Sequence, residues 1–532
     1  MNQRTPDNIK IYTTTTQINY PSTETDINLN FTHTTDKTRV QLTSDKTAIK
    51  HIRLRWNFTA SETYLPHTRI LGDEWERGYG AMAWNCITPE RCMPWYFFAT
   101  NGSDTDSPDG QVTKCFGVMV RPSAMCFWQT DTSGVTLWLD VRNGGNGVEL
   151  RGRTLDVCTI LFRDYADMSA FSAAEKFCGE MCPDPILPKQ PVYGSNNWYY
   201  AYGSSSHNEI IEDTKLVAKY TEGLENRPFM VIDDGWQKYG CDGPWLSGHA
   251  EKFPDMKKLA DEMCALDVKP GIWVRYLSDT KFEVFPKDSE MRLAREDKYL
   301  DPSHPAVIAN VIETTKRMTG WGYQLIKHDF STFDIFGGWG FNFRNILGRQ
   351  DGWSFYNKNK TSAEIVLDFY SAILNAAGDA LILGCNCIGH LCAGLAHLNR
   401  TGDDTSGHEW ERTRKMGVNT LAFRMPQNNT FYAADADCVG ITKHVPWEKN
   451  RLWLKALANS GSPLFVSCTP NVLDDSQLDE LREAFRIASI QADRFVPLDW
   501  VDTICPAKWT LNGEEITFDW YNDAGCESVN LK

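Results

Sequence analysis

A chain of 532 residues, 42% hydrophobic and 23% charged, can bury a large core, and its length suits a barrel of about 250 residues with further domains attached. The 54 Lys and Arg against 69 Asp and Glu leave a net charge of −15, which argues against nucleic acid as a partner, and no apolar run approaches the roughly 20 residues of a spanning helix, which argues against a membrane. Sixteen cysteines scattered along the chain, and no apolar signal segment after Met1-Asn2-Gln3-Arg4-Thr5-Pro6, lead us to expect free thiols in a reducing, cytoplasmic setting.

Residues 1–185 read as an antiparallel β-sandwich. Ile9–Tyr12, Gln111–Lys114, Gly117–Val120 and Val135–Leu139 are short and rich in β-branched residues, and turn signals such as Asn143-Gly144-Gly145-Asn146-Gly147 separate the strands. A helix over Ser169–Met181 runs into Pro183-Asp184-Pro185 and Pro188, a linker. From residue 190 the pattern changes to strands alternating with helices. Strands are expected at Asn197–Tyr202, Phe229–Asp234, Lys269–Val274, Gln324–Lys327 and Leu381–Gly384, and further apolar strands near Leu398, Leu421 and Leu464–Val466. Helices over Asn208–Tyr220, Asp255–Leu266, Ala306–Thr319 and Thr361–Ala376 fall between them. Eight apolar strands alternating with helices predict a (β/α)8 TIM barrel over 190–490. Residues 491–532, with strand-like Glu515–Phe518, form a small C-terminal β unit, so the chain is multidomain.

Barrel enzymes carry their chemistry at the C-terminal ends of the strands. Four polar clusters fall there: Asp233-Asp234-Gly235-Trp236, Lys327-His328-Asp329, Gly384-Cys385-Asn386-Cys387, and Arg400-Thr401-Gly402-Asp403-Asp404-Thr405. Three of them hold carboxylates. Carboxylate pairs in a mouth lined with Trp point to glycoside hydrolysis, where one acid protonates the leaving oxygen and the other attacks or activates water. A single Asp after a strand is as readily a helix cap, but four clusters at four strand ends are poorly explained by capping. Cys385-x-Cys387-x-x-His390-x-Cys392 offers four soft ligands, yet gaps this tight are not zinc-finger spacing and the segment starts on a strand. No metal and no cofactor are expected.

These motifs resemble glycoside hydrolase clan D, in particular the family 36 α-galactosidases, with family 27 as nearest relative. Asn197-Trp198-Tyr199-Tyr200-Ala201-Tyr202-Gly203, Val231–Gln237, Phe253–Met256 through Lys269–Trp273, Lys327-His328-Asp329-Phe330 and Arg400–Thr405 carry the resemblance in order and spacing over residues 195–470. It implies that Asp329 is the nucleophile, kept ionised beside Lys327. Asp404, four residues after Arg400, is implied as the acid/base, with Asp403 its rival. Asp233 and Asp234 would grip O4 and O6 of the sugar, Trp236 and Trp273 would wall it, and Arg400 and Cys385 would lie near O2. The sandwich segment Leu71–Gly80 is similar to a loop that reaches over the barrel mouth, so Trp75 or Asp73 would close the pocket. Phe431–Asp437 is similar to the seventh-strand loop that orients the acid/base region.

The expected activity is therefore retaining exo-hydrolysis of terminal α-D-galactosides through a glycosyl-aspartate. An α-N-acetylgalactosaminidase or an α-galactosyl transglycosylase of the same fold stays open, because the Cys385-Asn386-Cys387 segment departs from the simplest pattern. A non-catalytic carbohydrate-binding barrel is weakened by the presence of all the expected carboxylates. A metal-dependent hydrolase is disfavoured by 11 His in the chain and no His-x-His after the first strand. The substrate partner is an α-galactoside oligosaccharide or glycoconjugate, and the aromatic-rich loops leave a homo-oligomer open.

Overall fold

Alternation of inward apolar and outward polar residues builds the N-terminal region. Thr38, Val40 and Leu42 of Lys37–Thr43, and Ile52, Leu54 and Trp56 of Ile49–Asn57, are buried between more exposed neighbours. The computed structural model describes residues 4–102, 110–343, 351–490 and 495–521. In it, two antiparallel sheets of six strands pack face to face. One runs in the order Gln17–Tyr20, Asn8–Thr13, Ile49–Asn57, Gly134–Asp140, Met125–Asp131, Met93–Pro94. The other runs Asn28–His33, Lys37–Thr43, Leu155–Ala166, Val112–Val118, Tyr96–Thr100, Arg69–Gly72. Gln111–Lys114 and Gly117–Val120, read as two strands, are one: Cys115 and Phe116 keep the register between them, with Phe116 opposite Phe162 and Phe97. Between the sheets Trp56, Phe97, Phe116, Trp128 and Phe162 form an aromatic core. Helix Ala170–Met181, capped by the Ser169 hydroxyl accepting from Ser172 N–H, closes one side of it.

The second region is a parallel barrel. Its strands are Tyr193–Asn196, Phe229–Ile232, Lys269–Val274, Leu325–His328, Leu381–Gly384, Leu398–Arg400, Ala433–Asp435, Cys438–Ile441 and Leu464–Cys468, and nearly all of their residues are buried. Nine segments fill eight positions. Ala433–Asp435 pairs only with the sixth strand, Cys438–Ile441 only with the last, and just Ala436 and Asp437 separate them. The seventh strand is thus split, and the ring closes through two residues of chain instead of a ladder of hydrogen bonds.

Two expected strands are helical. Trp198–Ala201 is a single helical turn after the true first strand, Tyr193–Asn196, because the Asn196 carboxamide accepts from Trp198 N–H and bends the chain. Leu421 lies in helix Thr420–Arg424, which continues the π-helical Thr413–Asn419, because its apolar run packs as a helix face. The four long barrel helices read from the sequence occur as His207–Tyr220, Met256–Ala265, Pro305–Gly320 and Ser362–Ala377.

Sandwich and barrel are joined at several places. Gly78 pairs with Gly402 in an isolated parallel bridge, and Asn143 donates to the carbonyls of Asn357 and Lys360 while accepting from Phe355 N–H. The three C-terminal strands, Val496–Pro497, Lys508–Leu511 and Glu514–Thr517, form a separate small sheet. Residues 491–494 and 522–532 of the expected C-terminal unit lie outside the described residues. Trp500 packs on Trp84 and Phe171 of the sandwich and on Phe423 of the barrel, so this unit wedges between the other two.

Candidate active site

A cavity of about 450 Å³ opens at the C-terminal mouth of the barrel, lined by Asp233, Asp234, Trp273, Lys327, Asp329, Arg400 and Asp404 among others. The strand ends bring these residues together from four positions of the ring. A larger cavity, about 780 Å³, lies at the opposite end, where Lys269, Gln324 and Leu381 begin their strands, and it contains no carboxylate pair.

Lys327 Nζ is 2.7 Å from Asp233 Oδ2, and Asn196 Nδ2 donates to the same oxygen at 2.7 Å. Burial disfavours the Lys327 ammonium, but Asp233 outweighs it and holds the group well above the ordinary lysine range. Next to it, Asp234 accepts from Gln237 Nε2 at 2.5 Å and from Cys241 N–H at 2.8 Å. Burial raises Asp234 in spite of those bonds.

Asp329 ends the fourth strand. Trp273 Nε1–H donates to its Oδ2 at 3.2 Å and Phe330 N–H to its Oδ1 at 2.7 Å. The second bond exists because Phe330 adopts φ 61°, a left-handed conformation that a bulky residue takes only when its surroundings hold it there. Here the Arg275 guanidinium lies 4.2 Å over the Phe330 ring.

Arg400 lies at the centre of the other wall, 2% exposed, with ion pairs of 3.2 Å both to Asp404 Oδ1 and to Asp437 Oδ1. Asp437, in the break of the seventh strand with φ 70°, also accepts from the Tyr199 hydroxyl and from Thr405 N–H at 2.7 Å. Burial would raise the Asp404 carboxyl, but Arg400, Arg77 and Lys327 outweigh it and hold the group below the usual aspartate range. Asp403 differs physically from its neighbour: it is tied to Arg77 at 2.8 Å and to Arg412 at 2.9 Å.

Four residues read as substrate contacts or pocket closures lie elsewhere. Trp236 is fully buried, donates Nε1–H to the Trp273 carbonyl at 2.9 Å and packs against Trp245 and Trp321, so it is barrel core. Trp75 is 1% exposed and sits edge-on to Trp95 and Phe127 inside the sandwich. Asp73, from the same loop, is held by Arg424 at 2.9 Å and by Gln427 at 3.0 Å. Cys385 lies behind the cavity wall, its sulfur accepting from Arg400 at 3.5 Å and from Arg77 at 4.0 Å. Lys327 makes its close contact with Asp233 instead of Asp329. In the Cys385–Cys392 segment, His390 stacks on Trp95 and bonds the Val118 carbonyl, and Cys387 lies against His328. Among the described residues no His, Cys, Asp or Glu side chains cluster as metal ligands do.

The loop 71–80 does reach the mouth, but through Arg77 and Tyr79. Arg77 lies 5.2 Å from the Trp339 ring centroid, and Tyr79 packs edge-on to Phe341 at 4.8 Å. Beneath them Glu76, fully buried, accepts from Gly340 N–H, from the Asn386 carboxamide and from the Tyr79 hydroxyl. Arg77, Tyr79, Trp198, Trp339 and Phe341 line the cavity without having been singled out from the sequence. The loop Leu71–Gly80 and the motif Asn197–Gly203 already pointed at the segments that hold Arg77, Tyr79 and Trp198, and Trp339-Gly340-Phe341, an aromatic pair shortly after the Asp329 strand end, is the signal that could have found the other two.

Neither a family model nor a curated protein matches the chain. Solved structures do. An α-galactosidase from Thermus thermophilus, in complex with p-nitrophenyl α-D-galactopyranoside, matches with a TM-score of 0.60 and 14% identity over 96% of this chain and 98% of that one. A single-site variant of the GH36 α-galactosidase AgaA from Geobacillus stearothermophilus, in complex with 1-deoxygalactonojirimycin, matches with a TM-score of 0.60 and 11% identity over 91% of this chain and 70% of that one. AgaB of the same organism gives 0.59 and 11% over 89% and 69%. The chain has the fold of these enzymes, from the sandwich through the barrel.

Proposed function

We propose that this chain is a retaining exo-α-galactosidase, with Asp329 as nucleophile and Asp404 as acid/base. The observation that carries the reading is the convergence of Asp233, Asp234, Asp329 and Asp404, with Lys327 and Arg400, on one cavity at the C-terminal mouth. Its volume falls in the range of small-ligand sites, roughly 300–1,000 Å³. The α-galactosides bound by its structural neighbours supply the substrate class.

In this mechanism the Asp329 carboxylate, steered by Trp273 and Phe330, attacks C1 while Asp404 protonates the departing glycosidic oxygen. Asp404 then takes a proton from water, which attacks C1 of the glycosyl-Asp329 ester and restores the α-anomer. Arg400 holds Asp404 ionised in the free site. A substrate 2-hydroxyl that takes over an Arg400 N–H relaxes that hold, so occupancy itself favours the protonated acid. Asp233 and Lys327, already paired, offer an acceptor and a donor to the axial 4-hydroxyl, and a substrate that cannot use them leaves buried charge unsatisfied.

The test is hydrolysis of aryl α-galactoside and aryl α-N-acetylgalactosaminide side by side, with Asp329→Ala as control and NMR of the first anomer released. Cleavage of the galactoside with α-anomer first, abolished in Asp329→Ala, is the expected result. Preference for the N-acetyl sugar would move the substrate, β-anomer first would overturn retention, and no cleavage by folded protein would overturn the reading.

A further inference from the structure

Two residues of the cavity wall share an unusual backbone shape and a task. Cys241 adopts φ 56° and Phe330 φ 61°, the left-handed region that side chains of this size rarely enter. Each donates its backbone N–H to a cavity carboxylate, Cys241 to Asp234 Oδ1 at 2.8 Å and Phe330 to Asp329 Oδ1 at 2.7 Å. Such residues persist where their surroundings over-determine them, commonly at ligand clamps.

One side chain touches both. Arg275 directly follows the strand Lys269–Val274 and is 9% exposed. Its guanidinium lies 4.2 Å over the Phe330 ring, and its Nη1 donates to the Cys241 sulfur at 3.1 Å and to the Cys241 carbonyl at 3.4 Å. Asp334, fully buried in the helix Ser331–Phe336, fixes the fork from behind, accepting from Nε at 3.0 Å and from Nη2 at 2.6 Å. A guanidinium meets all three demands where an ammonium does not. It is flat enough to stack on a ring, it pairs bidentately with a carboxylate, and it keeps an N–H for Cys241.

The geometry points to Arg275 as a positioning residue that sets the spacing between Asp329 and Asp234. It does not itself line the cavity, and it acts through Phe330 and Cys241, which do. In the α-galactosidase reading above, on which this rests, Asp329 attacks C1 while Asp234 grips hydroxyls on the far side of the ring. Both ends of the sugar are then registered against one guanidinium. A sugar gripped out of register with the nucleophile binds weakly and reacts slowly. Loosening Arg275 therefore reaches ground-state binding and chemistry together.

The experiment uses Arg275→Lys and a double variant, Arg275→Met with Asp334→Leu, with circular dichroism to show which are folded. The double variant leaves no buried charge without its partner, and apolar residues of similar volume commonly keep such a site folded. On an aryl α-galactoside each variant should lower kcat about 100-fold, and the inhibition constant of galactose should rise about tenfold. A purely structural Arg275 would change the amount of folded enzyme, and with it the apparent kcat, but not an inhibition constant. An unchanged kcat, or an inhibition constant within about twofold of the unmodified value, in either folded variant overturns the inference and leaves the galactosidase reading standing. Failure of the unmodified protein to cleave the galactoside overturns that reading, and the inference with it.

Discussion

Arg77 of the sandwich and Asp403 of the barrel meet at 2.8 Å, an ion pair between domains one residue before Asp404. The N-terminal region is thereby part of the electrostatics of the site, since the same guanidinium helps to hold Asp404 low.

Arg77→Gln should therefore have two effects. Removing a cation raises the Asp404 carboxyl, so the alkaline limb of the kcat/KM profile moves to higher pH. Asp403 keeps Arg412, so the loss of stability is about 2 kcal/mol, less than for a fully orphaned buried charge. A pH–rate profile with a urea titration checks both, and an unmoved alkaline limb would count against Asp404 as the acid.

Trp273→Phe keeps the cavity wall and deletes one of the two hydrogen bonds to Asp329. Under the proposed mechanism the Asp329 carboxylate is then steered by Phe330 N–H alone, and kcat on an aryl galactoside should fall roughly 10- to 100-fold, the cost of slight misplacement. Single-turnover kinetics should locate the loss in formation of the glycosyl-enzyme.

Asp435, 3% exposed, is pushed up to about 6 by burial, from an ordinary 3.8. The folded state thus keeps this proton longer than the unfolded chain does. Its contribution to stability is complete below pH 3.8 and is lost as the pH rises through 6, up to about 3 kcal/mol in all. Asp435→Asn should lose correspondingly less stability between pH 4 and pH 7 than the unmodified protein. Parallel stability curves from denaturant titrations at several pH values would refute this.

Trp236→Ala should behave as a core truncation, costing about 3–5 kcal/mol, with KM on the surviving folded enzyme within about threefold. A large rise in KM without loss of stability would return Trp236 to the sugar wall.

The barrel was legible where a short apolar run ends in a polar cluster, as at Phe229–Ile232 before Asp233-Asp234 and at Leu325-Ile326 before Lys327-His328-Asp329. The aromatic run Trp198–Tyr202 misled because its residue types favour strands. What decides its shape is one side chain, Asn196, capturing Trp198 N–H, a local bond that composition does not reveal. The same limit applies to the loop 71–80. Its acids and aromatics mark it as special, but Arg77 and Tyr79 face the cavity while Trp75 faces inward because Gly78 is pinned to Gly402, a partner far along the chain in the barrel. Trp236 and Trp273 look alike from the sequence, but Trp273 sits on the strand Lys269–Val274 and lines the cavity, whereas Trp236 follows the strand Phe229–Ile232 by four residues and turns into the core.

The break at Ala436 and Asp437 has a consequence for how the molecule can fail or change. The residue that bridges the two halves of the seventh strand also anchors Arg400, Tyr199 and Thr405. Opening the ring at this joint would therefore scatter the cavity wall that holds Arg400 and Asp404 at the same instant. Thermal inactivation and loss of barrel structure should trace a single curve, and an insertion between 435 and 438 would disable the protein by geometry even if every catalytic side chain were kept.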